Sequence, residues 1–528
     1  MSRLGLPLTM IVWMVVPGLQ AKDPIAPWQG KGPEALSARI DERIAAGWQA
    51  KGVKPAPVTE DAEFFRRLSL DLNGRIPTIT TMADFLDDRR PDKRRIWIDK
   101  LILGRDPAFP QANYPEFPKL YAEHFGSYWY DYLFARAIDS TSNNGFSQHD
   151  AGSLQDWFQG HIRQNTPYDK LVHELLTVRG DFYSLNQFRP ETLAAETSRL
   201  FLGVKLECAQ CHDDRSGGDW SREQFWQFAA FFVEVSVQNK RPTQVPQIKI
   251  PDHANTVPAT FLDGYKHEWS QDRLAHHVLA DWLVRRENPY FARAVVNHMW
   301  SYFFGIGLVD PIDVMGTKEN PPSHPELLDE LTAAFVAHDF DLQYLIRAIA
   351  GSKTYQRSSV RSDPSQDDPR LFARMPVRGM TPEQLLKSLH IAVGATYRRP
   401  HHDPYRNAQH PDDITQFLAK FRNPHDRRIE TKTSILQALY MMNSSFLLDL
   451  MHTPNGSLDI VQTAGNRIPT ARQVKDLYLV TLSRRPRAEE TERLVKYIES
   501  GGPRKDRKRA LEDVFWALLN STEFCLNH

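Results

Sequence analysis

The chain is 528 residues long and balances 65 Lys plus Arg against 65 Asp plus Glu. That balance excludes the strong basic field of a nucleic-acid binder and gives no pull toward an anionic membrane. The length exceeds what one ordinary core fills, so two or more domains are expected, and three cysteines are too few for a disulfide-built scaffold.

The chain opens Met1-Ser2-Arg3, followed by an apolar run from Leu4 to Val16, a break at Pro17-Gly18, and Ala21 before the charged Lys22-Asp23. A basic start, a short apolar stretch and a small residue at a polar boundary predict a signal peptide over residues 1–21. The protein is therefore expected to be exported to the periplasm or cell envelope. The run is shorter than the roughly 20 residues a spanning helix needs, and no later segment is long and apolar enough, so no transmembrane anchor is expected after cleavage.

Helical periodicity dominates the chain beyond Ala21. Leu36, Ile40, Ile44 and Trp48 recur every four residues, and Gly52 stands where a C-terminal cap belongs. Thr59 is placed to cap a helix carrying Phe64, Phe65, Leu68 and Leu72, which Gly74 ends. Arg94 to Leu103 repeats the pattern, as does Leu154 to Leu176 with a break at Pro167. The texture changes after Val233: Val233, Val235 and Val237 alternate, Ile248 and Ile250 alternate, and prolines are dense. The expected fold is mainly α, with two helical domains joined by a short extended segment containing strands. The expected division is 22–232, a linker over 233–266, and 267–528. The run Arg504-Lys505-Asp506-Arg507-Lys508-Arg509 reads as a solvated helix face.

The sharpest chemical feature is Cys208-Ala209-Gln210-Cys211-His212. Covalent haem c needs two thiols that reach two vinyl groups and an imidazole beside the second thiol to ligate iron. Leu200, Val204, Cys208 and Cys211 fall at helical spacing, which predicts one continuous helix with both thiols on a single face. Cys208, Cys211 and His212 are thus the candidate haem c residues, with His212 as the iron ligand. A disulfide, a redox dithiol or half of a zinc site stay open as other uses of the pair. The second axial ligand is not readable; His149, His161, His298 and Met299 are available. Cys525, beside Phe524, is expected to pack as a small hydrophobe.

The stretch Phe65-Arg66-Arg67-Leu68-Ser69-Leu70-Asp71-Leu72-Asn73-Gly74-Arg75-Ile76-Pro77-Thr78 resembles the opening of the planctomycete cytochrome-c-associated domain family. The resemblance continues at Pro167-Tyr168-Asp169 and at Leu202-Gly203-Val204 leading into the cysteine motif. The second half is similar to the partner domain that follows in those proteins. It matches at Arg293-Ala294-Val295-Val296-Asn297-His298-Met299-Trp300, at Phe304-Gly305-Ile306-Gly307-Leu308-Val309 and at Pro322-Ser323-His324-Pro325-Glu326-Leu327-Leu328. Further matches are Ser352 to Ser359 and Asn520-Ser521-Thr522-Glu523-Phe524. The resemblance implies cytochrome association for domains of unknown function, and a possible exported sulfatase-like partner protein. The chain departs from the family pattern at Asp214 and Arg215, where relatives carry a histidine and a proline, and at His298, where arginine is common.

Ser323-His324-Pro325-Glu326 also fits a Ser-x-x-Glu capping box, with a helix from Leu327 to Phe335. Asp131 near Trp129 and Asp156 beside Trp157 are the candidates for a buried carboxylate pair doing acid–base work. Three functions are expected from these features: electron transfer or another redox role at the envelope, a hydrolase or lyase acting on extracellular polysaccharide, and a non-catalytic scaffold for an exported partner.

Overall fold

The structure is a computed structural model that describes residues 28–140, 148–214, 220–235, 245–395, 435–443, 445–464 and 467–528, with Ile414, Phe417, Leu418 and Phe421. The signal-peptide expectation over 1–21 falls outside the described residues, as do Arg215 and Val237. The protein is mainly helical. In chain order the first helices are α1 (Gly32–Lys51), α2 (Asp61–Asn73), α3 (Ile79–Asp87), α4 (Lys93–Leu103) and α5 (Glu116–Ser140). They are followed by α6 (Gln148–Arg163), α7 (Tyr168–Thr177), α8 (Asp181–Leu185), α9 (Pro190–Leu202) and α10 (Arg222–Ala229). A hairpin of β1 (Gln247–Lys249) and β2 (Thr256–Pro258) comes next, antiparallel, with Ile248 opposite Val257. Then come α11 (Ala275–Leu283), α12 (Phe291–Phe304), α13 (Pro325–Ala337) and α14 (Leu342–Gly351). Strand β3 (Arg378–Gly379) precedes α15 (Pro382–Val393) and pairs antiparallel with β4 (Leu526–Asn527) near the far end of the chain. The helices between them include Thr470–Leu482, Ala488–Glu499 and Arg507–Leu519. Among the described residues no helix is long and apolar enough to cross a membrane.

The periodic segments fold as their spacing predicts. Helix α1 buries Leu36, Ile40, Ile44 and Trp48 as one stripe and ends at Gly52 with φ 64°. Helix α2 buries Phe64, Phe65, Leu68 and Leu72 and ends at Gly74, φ 66°. It begins at Asp61, with Glu60 rather than Thr59 at the cap. The Thr59 hydroxyl turns instead to the Glu63 carboxylate. The expected box at Ser323 does not form either: His324 occupies the cap position of α13 without a side-chain cap bond. Val233 and Val235 lie in a turn, and the strand pairing is confined to β1 and β2.

The apolar packing does not part at 233–266. One buried cluster runs from Leu36 through Phe228, Phe231, Phe261 and Trp282 to Met375. Phe261 bridges the segment, its ring 4.6 Å from that of Phe231 and 5.0 Å from that of Trp282. A second cluster joins Leu386, Leu389, Phe417, Leu477, Phe515 and Phe524 to Leu70 and Ile76, two residues from the N-terminal half. Helix α2 thus stands between the two clusters and is buried from Phe64 to Asn73 on every side.

Candidate functional site

The cysteine motif is not on a continuous helix. Gly203 stops α9 at φ 64°, and a Cβ there would meet Met315 Sδ at 2.7 Å. The Met315 N–H donates to the Gly203 carbonyl at 2.9 Å, which fixes the break. After Val204 the chain turns into one short 3-10 segment, Glu207–Gln210, with Leu206 and Ala209 buried beneath it. The 3-10 segment ends at Gln210, and Cys211 follows it at the C-terminal cap position with φ −101° and ψ −33°. Cys208 is half-buried, Cys211 and His212 are exposed, and all three cysteines of the chain are free thiols.

Four hydrogen bonds hold this turn in shape. The Gln210 carbonyl accepts from Trp226 Nε1 at 3.1 Å and from Arg222 Nε at 3.4 Å. The Asp213 carboxylate accepts from the Arg222 backbone N–H at 2.8 Å, at the N-terminus of α10 where an anion is favoured. The Asp214 N–H donates to the Trp220 carbonyl at 2.8 Å, which tucks this residue into the loop base. His212 Nδ1 lies 2.9 Å from the Asp213 carbonyl. A carbonyl only accepts, so Nδ1 carries the proton and the Nε2 lone pair is available to a metal. Among the described residues no three His, Cys, Asp or Glu side chains converge closely enough to hold a metal ion.

The other sequence candidates are engaged elsewhere. His161 contacts Thr166 through Nδ1 at 3.0 Å and Glu174 through Nε2 at 3.5 Å. His298 and Met299 are buried in α12, and His298 Nε2 pairs with the Tyr128 hydroxyl at 2.7 Å. Burial, with Arg199 nearby, holds the His298 imidazole down to about 3. The side chain of His149 lies outside the described residues. Asp156 is exposed and Asp131 only half-buried, so the expected buried carboxylate pair is not formed. Burial pushes the Cys525 thiol up to about 11, as a packed cysteine requires.

The stretch from Phe65 to Thr78 builds a buried polar hub that the sequence did not disclose. Asp71 accepts from Arg378 Nη2 through both oxygens (2.8 and 3.0 Å), from the Tyr355 hydroxyl (2.8 Å) and from Asn527 Nδ2 (2.7 Å). Its carbonyl accepts from the Tyr302 hydroxyl at 2.6 Å, and Tyr302 contacts His124 Nε2 at 2.6 Å. Arg67 donates to the carbonyls of Tyr355 (2.8 Å) and His528 (3.1 Å), and Arg66 to those of Thr481 (3.0 Å) and Phe524 (2.7 Å). Burial draws the Arg66 guanidinium down to about 10. Buried polar groups need such partners, and here they join α2 to Ser352–Ser359, to β3 and to the Asn520–Phe524 stretch. Asn297 does the same locally: its side-chain amide pairs with both backbone groups of Val309 (2.8 and 2.9 Å), and a Cβ on Gly307 would meet it at 2.9 Å.

Arg222, which holds the cysteine turn, is the residue beside the candidate site that the motif reading missed. Its signal was present: Ser221 and Gln224 form the reciprocal capping box that starts α10.

Two family models match the chain in succession. Residues 39–237 match PSCyt2, a protein of unknown function (DUF1549), and residues 275–498 match PSD1, a protein of unknown function (DUF1553). Residues 238–274, which hold the hairpin, fall between them. No curated protein and no solved structure is similar enough to match.

Proposed function

The chain belongs to the family in which a PSCyt2-type domain is followed by a PSD1-type domain, and from that premise we propose an exported protein that carries one c-type haem and transfers electrons at the cell envelope. Cys208 and Cys211 would anchor the haem by adding their S–H groups across its two vinyl groups, and His212 Nε2 would ligate the iron. A haem there supplies a one-electron iron couple. The carrying observation is the turn itself: two free thiols three residues apart, followed by an imidazole whose Nδ1 is tied to a backbone carbonyl. A zinc site asks its ligands to converge on one point, and these three do not. Haem asks something else: thiols at the porphyrin rim and an imidazole at its centre. Leu206, Ala209 and Trp226 give the turn an apolar base.

A second reading, a non-catalytic scaffold for an exported sulfatase-like partner, is favoured by the Asp71 hub. The residues that carry the family resemblance are buried against one another, as a packing framework requires. The hydrolase or lyase reading is left without a buried carboxylate pair, since Asp156 is exposed and Asp131 half-buried.

The deciding experiment is a reduced-minus-oxidised visible spectrum of protein exported with haem-maturation factors, with a pyridine assay for covalent haem. The expected result is a Soret band that Cys208→Ala and Cys211→Ala each weaken or abolish. A colourless wild-type protein with a Cys208–Cys211 disulfide by mass would overturn the haem reading in favour of the scaffold.

A further inference from the structure

Helix α10 packs against both the cysteine turn and the β1–β2 hairpin. Arg222 is its first residue, and the capping box of Ser221 and Gln224 fixes the start of the helix. From there Arg222 holds the turn on both sides of Cys211 and His212. Before them, its Nε donates to the Gln210 carbonyl at 3.4 Å. Trp226, one helical turn further on, donates to the same oxygen at 3.1 Å. After them, the Arg222 backbone N–H donates to the Asp213 carboxylate at 2.8 Å.

The Gln210 carbonyl bears directly on a thiol. It shares one planar peptide unit with the Cys211 nitrogen, so fixing the oxygen fixes the direction in which the chain enters Cys211. Cys208 lies on the 3-10 segment, between the buried Leu206 and Ala209. One cysteine is thus placed by apolar packing and the other by donors from α10.

The remaining bond of the Arg222 guanidinium leaves the turn. Its Nη2 donates to the Pro251 carbonyl at 2.8 Å, at the hairpin tip. There the Ile250 N–H donates to the Asn255 carbonyl at 3.1 Å, and the His253 N–H to the Ile250 carbonyl at 3.2 Å, closing a tight turn above the buried Ile250 and Val257. At the hairpin base, the Thr260 N–H donates to the Gln227 carbonyl of α10 at 3.2 Å. Both acceptors of the guanidinium are backbone carbonyls, one from each segment. A planar fork suits that task, where an ammonium is a single point of charge.

We propose that Arg222 is a positioning residue: it braces the Cys208–Cys211 turn against the β1–β2 hairpin, and so couples the geometry of the thiol pair to the hairpin tip. The inference does not rest on haem, since the same brace serves a thioether pair and a disulfide. The coupling runs both ways, so a change at the cysteines is felt at the tip.

The test uses protein made without haem maturation and equilibrated in glutathione buffers. Two cysteine thiols become a disulfide as one oxidised glutathione becomes two reduced ones, and mass spectrometry of labelled peptides gives the fraction closed. Losing the brace frees the peptide that leads into Cys211. The effective concentration of one thiol for the other is therefore expected to fall roughly tenfold in Arg222→Ala, the factor that one freed backbone residue is worth. Arg222→Lys keeps the charge, and with it any charge effect on the thiols, but cannot hold both carbonyls; it is expected to fall with Arg222→Ala. Hydrogen exchange at the Ile250 and His253 amides reads the other end. Closing the disulfide should change both rates in the wild type and neither in the variants, with the Val309 amide, held by Asn297, as the unchanged reference. A thiol equilibrium that neither variant shifts, or a lysine variant that matches the wild type, overturns the brace. So does a wild type that forms no disulfide, or a tip whose exchange ignores the cysteines. The haem reading is decided separately, by the assay for covalent haem.

Discussion

Arg378 Nη2 lies between the two carboxylate oxygens of Asp71, 2.8 and 3.0 Å away, although the residues are 307 positions apart in the chain. The side chain of Asp71 is only 1% exposed. The Arg378 Nη1 donates to the Tyr302 carbonyl at 2.6 Å, and β3, which carries Arg378, pairs with β4. One carboxylate therefore ties α2, α12, β3 and the last residues of the chain together.

Asp71→Asn is expected to destabilise the protein by about 3–5 kcal/mol, because it leaves the buried Arg378 charge without its counter-ion. It also turns a group that only accepts into one that must donate, opposite Tyr355 and Asn527. The exposed pair Arg361–Asp367 is the control, and Arg361→Ala should leave the unfolding midpoint unchanged. Denaturant unfolding of the two variants measures the difference; equal midpoints would show that Asp71 is not a hub.

Gly47→Ala sets two principles against each other. Gly47 lies inside α1, where alanine is favoured over glycine by about 1 kcal/mol. A Cβ there would meet His324 Nε2 at 2.7 Å, and the His324 ring is buried against Phe372, 5.7 Å between centroids. Overpacking costs about 1–3 kcal/mol, so the variant is expected to be less stable than the wild type. Stabilisation of Gly47→Ala would mean that His324 moves freely.

These two sites mark how far the sequence can be read. Leu36, Ile40, Ile44 and Trp48 were legible because a helix face repeats locally, and Gly52 because a left-handed cap favours glycine. The distant partners of Arg66, Arg67 and Asp71 were not: those of the two arginines are mostly backbone carbonyls, which leave no trace in side-chain pattern, and those of the Asp71 carboxylate are side chains hundreds of residues away. The Ser323 box failed for a similar reason: the Ser323 N–H is taken by the Leu308 carbonyl at 2.7 Å and His324 turns inward over Gly47. At the cysteine motif, spacing predicted a continuous helix and could not show the stop at Gly203, which Met315 imposes from a distant loop. The extended segment was visible as a change of texture, yet its Phe261 fills the same core as the helices on either side.

Acid should destabilise the fold before its carboxylates titrate. Burial holds His124, His276 and His298 near about 3 in the folded chain, against an ordinary value of 6.5. Between those values the unfolded chain binds the extra proton, so stability is full above about 6.5 and falls as pH drops toward 3. Each histidine contributes a slope of about 1.4 kcal/mol per pH unit across that window. His298→Gln should remove one such increment between pH 6.5 and about 4.5, where carboxylates still stay charged. An unfolding free energy with the same pH slope in variant and wild type would argue that His298 is protonated in the fold.

Thiol labelling separates the uses of the cysteines without a spectrum. In protein made without haem maturation and kept reduced, Cys211 is exposed and should react first with a maleimide. Cys208 is half-buried and should come second. Cys525 should be slowest, since burial pushes its thiol up to about 11 and leaves little thiolate at neutral pH. After maturation with haem, Cys208 and Cys211 should both be blocked, and a reductant should not release them, because a thioether carries no sulfur–sulfur bond to break. A disulfide gives the opposite outcome: the same two residues are blocked at first and regain reactivity with reductant. Cys525 should label slowly in the folded protein and fully on unfolding in either case, so mass spectrometry of the labelled peptides over time assigns each thiol. Recovery of Cys208 and Cys211 by reductant in protein matured with haem would exclude thioether attachment and leave the pair as a disulfide of the scaffold.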